Sequence, residues 1–553
     1  MAPRCRRRTA AFFVHLGVAV ACLWPSVLHF TDHIPLGSEP TPTVPFFNLW
    51  TLEWNAYEFA HGLVHYWDAP IFAPSTGAFA RSEAQPLTGA VFWVLRTVID
   101  APAAYSLLVL AFLVLNGLAA ARLARTLGAG AVAAIATGVL AQVAPFVIGQ
   151  LGVLQLVCAF PFWFALERIV TYRRRPALSV ALGIAAWCIV CILTSGYYAI
   201  FLAVMLAVTA PVMLLGVVPL RRFALHAVIV IGVVAVVCGP YLLAQERRTS
   251  GERWTASTVT ALSATPSDYF QSAPTIMPAV WSRRDASTDR DGIAGFPGLA
   301  TIALAASGAA IGWRRGERRS TLALVGVLVV GAGLSGGMHL GVGAFEPYRL
   351  LFDHVPGFDR LRSPYRFIVL TQVALVGLAA FAVDGLWNVR RRLGRVVVVG
   401  AVLAAMAEGI PASARSARVP DTRRFDWVEW LDTKPTGNVA LVPFPATGSA
   451  DDYVATTVAM LAGFEHGHPL VNGYTGFFPA DYYVLWSAMR TFPSACSTEL
   501  LQQHSTKYLV VDRTWLSAVR RNDLGALGWH PVFDGHDHIV YAAGPERLHG
   551  SCE

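Results

Sequence analysis

Residues 162–194 read FWFALERIVTYRRRPALSVALGIAAWCIVCILT, and this stretch indicates the class of fold. Two apolar runs lie on either side of the basic group Arg173, Arg174 and Arg175. A helix of roughly 20 apolar residues is long enough to cross a bilayer. Short cytoplasmic loops of membrane proteins carry an excess of Lys and Arg. The stretch therefore predicts two membrane helices joined by a cytoplasmic turn.

The same arrangement recurs along the chain, with arginine clusters at alternate ends of apolar runs. The clusters are Arg4 with Arg6 to Arg8, Arg122 with Arg125, Arg168 with Arg173 to Arg175, Arg221 with Arg222, Arg314 and Arg315 with Arg318 and Arg319, and Arg390 to Arg392 with Arg395. The runs predict helices near 10–30, 103–124, 128–148, 151–170, 177–194, 197–219, 223–244, 293–313, 320–342, 366–388 and 396–412. If every cluster is cytoplasmic, about eleven spans form out-and-back hairpins, with the N-terminus inside and the C-terminal region outside.

Composition agrees with a multi-pass membrane protein. Of the 553 residues, 55% are hydrophobic and only 14% are charged, whereas soluble chains carry about 25% charged residues. The net charge of +8 comes from the loop arginines. It therefore indicates orientation against an anionic leaflet, and we expect the lipid bilayer as partner and no nucleic acid.

The chain divides by character into two predicted domains. Residues 1–412 form a mainly helical transmembrane domain, with an outer loop at 31–102 that includes an interfacial or re-entrant helix at 86–99. Residues 413–553 predict an extracytoplasmic α/β domain, because the apolar runs shorten to strand length. The strands are NVALVPF (438–444), KYLVVD (507–512) and HIVYAA (538–543). Cys496 and Cys552 could form a disulfide if both face an oxidising compartment, and the sequence favours neither state.

The first outer loop is the richest in reactive side chains. Glu39 follows the first span in a loop rich in Gly and Pro. Further on, Glu53, Tyr57 and His61 lie four residues apart and would share one face of a helix. Such a face suits proton transfer. The alternative is an amphipathic interfacial helix with an aromatic belt.

Four stretches carry a resemblance to a known family. They are FNLWTLEWNA (47–56), IFAPSTGAFARSEAQP (71–86), VPGFDRLRSPYRFIVL (355–370) and HGHPLVNGYTGFFP (466–479). Together with the layout of spans and loops, they resemble the GT-C superfamily of membrane glycosyltransferases, and in detail a bacterial YfhO-like group. The resemblance implies transfer of a sugar, hexosyl or pentosyl, from a polyprenyl-phosphate donor to a glycan, lipid or protein acceptor. It also implies the outer face of the bacterial cytoplasmic membrane as the place of reaction.

The resemblance implies three roles, a general base, a phosphate-binding site and an acceptor-binding site, and candidate residues can be named for each. The general base is Glu39, with Glu53 as second choice. Arginine forks match phosphate oxygens, and the outer-face candidates for the donor phosphate are Arg349, Arg362, Arg366 and Arg247. Anchoring at the interface is the alternative for these arginines. Acceptor binding is predicted for His466, His468, Asn472 and Tyr474, with loop packing as the alternative.

The chain departs from the family pattern in one respect. GT-C enzymes commonly have an adjacent acidic pair after the first span, whereas Asp32 and Glu39 are separated here. We therefore predict no metal-binding residue, although the resemblance allows Mg²⁺ or Mn²⁺ as a cofactor. Two alternatives to an enzyme remain: a transporter or flippase for a lipid-linked glycan, and a non-catalytic scaffold.

Overall fold

A computed structural model describes residues 3–272, 275–276, 295–341, 345–389 and 392–544, with side chains from residue 9 onward except at 518 and 519. Arg390 and Arg391 of the last arginine cluster lie outside this description. The helices are α1 Pro3–Cys22, α2 Thr43–Ala60, α3 Pro86–Arg96, α4 Ala101–Thr126, α5 Ala131–Gln142, α6 Pro145–Gly149, α7 Leu154–Val157, α8 Phe160–Arg174, α9 Leu178–Thr194, α10 Gly196–Leu214, α11 Leu220–Arg248, α12 Ala256–Ala261, α13 Leu299–Arg314, α14 Arg318–Ser335, α15 Pro347–His354, α16 Ile368–Trp387, α17 Arg392–Gly409, α18 Asp426–Asp432, α19 Val454–His466, α20 Ala480–Met489, α21 Ala495–Gln503 and α22 Ala518–Ala526. The strands are β1 His33–Pro35, β2 Ser416–Arg418, β3 Asn438–Val442, β4 Thr506–Asp512, β5 Trp529–Asp534 and β6 His538–Ala543.

The chain forms two compact units. The first contains Met1–Glu39, Pro102–Leu242 and Gly251–Ala417, and the second contains Pro40–Ala101, Leu243–Ser250 and Arg418–Glu553. This division differs from the one predicted at residue 412, because the outer loop from Pro40 to Ala101 groups with the C-terminal region. Its main chain and side chains pack there: Leu470 N donates to Pro70 O at 2.9 Å, and the rings of Phe72 and Tyr482 lie 4.8 Å apart.

Every predicted membrane span overlaps a helix of the first unit, so the predicted mainly helical bundle is confirmed. Among the described residues, six helical stretches are long and apolar enough to cross a membrane: Ala101–Thr126, Leu154–Arg174, Gly196–Leu214, Leu220–Arg248, Arg318–Ser335 and Pro364–Trp387. Four shorter apolar helices accompany them: Thr9–Cys22, Ala131–Gln142, Leu178–Thr194 and Leu299–Arg314. The chain is thus a multi-pass membrane protein, and the number of crossings and their orientation stay predictions.

Helix α16 is the centre of the first unit, because all its residues from Ile368 to Asp384 are buried. It packs against α13, α14 and α5. Small residues let helices approach closely in a membrane. Gly308 of α13 does so here, since a Cβ at this position would overlap the main-chain oxygen of Leu378.

Two of the arginine clusters form ion pairs with buried or half-buried carboxylates at helix ends. Arg315 donates to Asp384 at 2.7 Å, and Arg173 donates to Glu317 at 3.0 Å. Burial raises the pKa of Glu317, but hydrogen bonds from Arg173 and Ser320 outweigh this effect, so its pKa is lowered. These pairs hold together the helix ends that carry the positive charge.

In the second unit, a four-stranded sheet has the order β3-β4-β6-β5. β3 and β4 are parallel, and the other two neighbouring pairs are antiparallel. The three predicted strands coincide with β3, β4 and β6, whereas β5 was not predicted. Cys496 is disulfide-bonded, and Cys552 lies outside the described residues.

Helices α2 and α3 belong to the second unit and match the helices predicted in the outer loop. α2 is mostly buried. α3 has Phe92 buried, but Val91, Trp93 and Val94 are exposed. The exposed apolar side chains agree with a helix that lies against lipid, and its place at the membrane interface stays a prediction.

Candidate active site

Glu39 stands at the end of a tightly held loop of the first unit. The main-chain N and the Oγ of Ser38 each donate to Gly149 O at 2.8 Å. Leu36 N donates to Arg415 O at 2.9 Å on the other side. Gly37 has φ +57°, and a Cβ there would lie 2.6 Å from Gly149 O. Only glycine can adopt this backbone conformation and also fit against Gly149. The loop therefore gives the half-buried Glu39 a defined position.

Tyr105 of α4 is an additional candidate that sequence reasoning missed. Its ring is fully buried, and its hydroxyl interacts electrostatically with Glu39. Among the described residues, this hydroxyl has no hydrogen-bond partner. A buried tyrosine hydroxyl usually has one, and a polar group bound beside Glu39 would supply it. The signal in the sequence was one tyrosine at the start of an apolar run.

Two of the four predicted phosphate-binding arginines stack on aromatic rings of the first unit. The guanidinium of Arg366 lies 4.7 Å from the ring centre of Tyr197, and that of Arg362 lies 5.4 Å from the ring centre of Trp254. The Tyr197 hydroxyl also accepts a hydrogen bond from Arg362 N at 2.9 Å. Within the described part of the chain, half-buried Arg362 forms no ion pair. Its charge is therefore held in place and available to an anion.

The segment from Pro145 to Val157 contacts the Glu39 loop and the two helices that lie next to these arginines in sequence or stack on them, α16 and α10. Its Gly149 O holds Ser38, as described above. Its Phe146 N donates to Gln372 Oε1 in α16 at 3.0 Å, and its Leu156 O accepts from the Tyr198 hydroxyl. Gln372 lies six residues after Arg366, which is roughly 9 Å along a helix. The Glu39 loop, α16 and α10 thus all contact this one segment.

The other predicted donor residues are placed differently. Arg349 is exposed and donates to Asp353 at 2.7 Å. This hydrogen bond raises the pKa of Arg349 and lowers that of Asp353. Arg247 is exposed and belongs to the second unit. Phosphate binding by Arg349 and Arg247 stays a prediction.

Glu53, the second candidate base, also lies in the second unit. Its carboxylate accepts from Arg96 Nε at 2.9 Å. Burial raises the pKa of Glu53, and the charge and hydrogen bond of Arg96 oppose this effect. The contact with α3 gives Glu53 a structural role, and a catalytic role stays a prediction.

The residues predicted to bind the acceptor mostly contact their own domain. Asn472 Oδ1 accepts from Leu441 N at 2.6 Å, and Asn472 Nδ2 donates to Leu441 O at 3.0 Å. The side-chain amide of Asn472 thus pairs with the main chain of β3 as a neighbouring strand would. The ring nitrogens of His468 lie 3.0 Å from the oxygens of Gly437 and Leu431. Acceptor binding by these buried side chains stays a prediction.

His466 and Tyr474 are also packed within the second unit. Burial, followed by the charge of His468, lowers the pKa of His466 to about 4, so His466 is neutral at pH 7. The ring of Tyr474 lies 5.3 Å from Phe47 and 5.2 Å from Tyr453. Tyr474 is half-buried, which leaves part of its ring accessible.

Among the described residues, one group of three side chains could hold a metal ion: His29, Asp32 and His33. Mg²⁺ prefers oxygen ligands, and two imidazoles do not fit that preference. Glu39 does not belong to this group. No group of three carboxylates therefore meets among the described residues for the Mg²⁺ or Mn²⁺ that the resemblance allows.

No protein-family model matches this chain, and a comparison with curated proteins finds no match. Solved structures do match. Arabinofuranosyltransferase AftD from Mycobacteria aligns over 98% of this chain with a TM-score of 0.61 and 16% identity, and this chain spans 40% of its length. The archaeal oligosaccharyltransferase AglB from Archaeoglobus fulgidus aligns over 91% of this chain and 69% of its own, with a TM-score of 0.49 and 14% identity.

ArnT from Cupriavidus metallidurans aligns over 98% of this chain and 99% of its own length, with a TM-score of 0.42 and 17% identity. At such identities the likeness to AftD shows the fold alone. The fold is the GT-C fold that the sequence predicted. Membership of the YfhO-like group stays a prediction.

Proposed function

We propose that this protein is a membrane glycosyltransferase that moves a sugar from a polyprenyl-phosphate donor to an acceptor hydroxyl. The observation that carries the proposal is the shared segment from Pro145 to Val157, which contacts both the loop of Glu39 and the start of α16 beside Arg366. This reaction needs a carboxylate base and cations that bind the phosphate, and Glu39, Arg362 and Arg366 are the residues we propose for these roles.

The reaction forms a bond between the acceptor oxygen and the anomeric carbon. Glu39 takes the hydroxyl proton as general base. The bond between the anomeric carbon and the phosphate oxygen breaks, and the lipid phosphate leaves with the electron pair. Arg362 and Arg366 stabilise the negative charge that develops on the leaving phosphate. Within the described part of the chain, the buried Tyr105 hydroxyl is free to form a hydrogen bond with a polar group of the substrate bound beside Glu39.

The location and partners follow from the same proposal. The bilayer supplies the lipid-linked donor, and a glycan, a lipid or a protein supplies the acceptor hydroxyl. The arginine clusters support a cytoplasmic N-terminus, which places Glu39 on the extracytoplasmic face. A bacterial cytoplasmic membrane is the setting that the sequence resemblance supports.

Donor binding tests this proposal at Arg362. The measurement is the affinity of full-length protein in nanodiscs for a polyprenyl phosphate, compared between wild type and Arg362→Gln. Loss of one charge-assisted pair costs about 1.5–3 kcal/mol, so we expect binding to weaken by about 10- to 150-fold. Arg490→Gln is the matched control, because Arg490 also lies over an indole, that of Trp486. Equal affinity of wild type and Arg362→Gln would contradict the assignment.

A non-catalytic scaffold or a flippase is the competing interpretation. The separation of Asp32 and Glu39 favours a scaffold. Against a flippase, the buried carboxylates Glu167 and Asp384 are paired with arginines at helix ends and do not form a polar path. Donor binding without turnover by the wild-type protein would support the competing interpretation.

A further inference from the structure

His29, Asp32 and His33 bring three metal-ligating side chains together just after α1. One ligand atom of each lies within 4.8 Å of the others. The rings of His29 and His33 have centres 5.2 Å apart, and His33 Nδ1 lies 2.8 Å from Asp32 Oδ1. Two imidazoles and one carboxylate, with no thiol, form a donor set typical of zinc and other divalent transition metals.

The main chain that carries these side chains is held on both sides. His29 ends a short 3-10 turn, and Asp32 N donates to His29 O at 3.1 Å. His33 begins β1, which pairs with β2, and its carbonyl accepts from Ser106 Oγ at 3.1 Å. The spacing i, i+3, i+4 thus places all three side chains on one side of a fixed turn.

The geometry needs only side-chain adjustment to bind an ion. Ligand atoms around a tetrahedral zinc with bonds of about 2.0–2.1 Å lie roughly 3.4 Å apart. His29 is exposed, and Asp32 and His33 are half-buried, so the rings can rotate and an ion can enter from solvent. Three protein ligands leave the fourth position for water.

We propose that His29, Asp32 and His33 form a binding site for a divalent transition metal of the zinc class. The site does not include Glu39 and does not depend on the proposed transferase activity. The bound ion joins the turn after α1 to β1, the strand that leads into the Glu39 loop. It therefore stabilises the folded chain by a free energy that rises with the logarithm of the ion concentration above Kd.

Metal binding by the full-length protein in nanodiscs, purified without a histidine tag, tests the site. The probes are Zn²⁺ by calorimetry and Co²⁺ by the visible absorption of a tetrahedral complex, with Mg²⁺ as the ion expected not to compete. We expect one equivalent of Zn²⁺ and a rise in the unfolding temperature. In His29→Ala the affinity should fall by at least the roughly 10- to 100-fold that loss of an outer-shell partner costs.

His65→Ala is the matched control, because His65 is also an exposed histidine but lies outside the cluster. Its Zn²⁺ affinity should equal that of the wild type. The proposal is overturned if the wild type binds no Zn²⁺. It is also overturned if the folded double variant His29→Ala, His33→Gln binds as tightly as the wild type. In either case, the 2.8 Å contact between Asp32 and His33 would be an ion pair and nothing more.

Discussion

At the residue scale, one glycine fixes the position of the candidate base. Gly37 combines a positive φ with direct contact between its loop and Gly149. The sequence predicted that Glu39 lies in a loop rich in Gly and Pro, but it gave no information about which residues hold that loop. The contact with Gly149 joins positions more than 100 residues apart, so no local pattern could predict it.

Gly37→Ala should therefore disturb catalysis as well as stability. A left-handed backbone costs a residue with a Cβ about 1–2 kcal/mol, and here the Cβ also pushes the loop away from Gly149. A displacement of about 1 Å costs roughly 100-fold in rate, so we expect at least this loss in sugar transfer. The measurement is the transfer rate together with the unfolding temperature.

Gly62→Ala is the control, because Gly62 also has a positive φ of 80° but nothing lies within 4 Å of its Cβ position. It should lower the unfolding temperature slightly and leave the transfer rate unchanged. If Gly37→Ala behaves in the same way as Gly62→Ala, the loop does not depend on close contact with Gly149.

Because of His466, the stability of the second unit should depend on pH in the acidic range. Its pKa is about 4 in the folded protein because of burial, against 6.5 in the unfolded chain. The unfolded state therefore binds the proton more tightly, and stability falls as the pH drops from about 6.5 to 4. The loss amounts to at most about 3 kcal/mol. Amide hydrogen exchange in α19 across this pH range measures it.

His466→Gln should flatten this pH dependence, since glutamine does not titrate. The variant is expected to be less stable than the wild type at pH 7, where neutral His466 Nδ1 accepts from His468 N at 3.0 Å. An unchanged slope between pH 4 and 6.5 in His466→Gln would show that another group controls the titration.

The residue types of the candidate site were predictable, but their surroundings were not. Glu39, Arg362 and Arg366 could be selected because loops between spans are where polar chemistry is possible. Tyr105 could not be selected, because the sequence does not distinguish a functional tyrosine in an apolar run from one that only packs in the core. The hydrogen bonds between Asn472 and β3 could not be predicted, because they join residues 31 positions apart and form only in the folded chain.

At the element scale, the buried helix α16 supports both ends of the bundle. Its start lies beside Arg366, and its Asp384 receives Arg315 near the other end. The sequence predicted this helix from its apolar length. It could not predict that α16 is central, since apolar residues facing lipid and apolar residues facing protein look alike in a membrane sequence.

Gly308→Val should separate α13 from α16. The added side chain has no space against Leu378, and overpacking costs about 1–3 kcal/mol or more. We expect a lower unfolding temperature in a fixed detergent. Gly232→Val is the control, because Gly232 lies in the apolar helix α11 with nothing within 4 Å of its Cβ position. Equal unfolding temperatures for the two variants would contradict close packing at Gly308.

At the scale of the whole molecule, alternating arginine clusters predicted the membrane fold. The positions of the arginine clusters and the lengths of the apolar runs are local features of the sequence, so a single sequence is enough to recognise them. The grouping of residues 40–101 with the C-terminal region was not predictable, because it depends on contacts such as that between Leu470 and Pro70.

In the proposed reaction, Glu39 acts as the general base of sugar transfer. The direct measurement compares turnover of a panel of polyprenyl-phosphate sugars by wild type, Glu39→Gln and the exposed control Glu429→Gln in nanodiscs. We predict that Glu39→Gln lowers transfer or donor hydrolysis by about 10²- to 10⁴-fold while donor binding is retained, and that Glu429→Gln matches the wild type. Turnover by Glu39→Gln at the wild-type rate would contradict the claim, as would a wild-type protein that binds donors and transfers none.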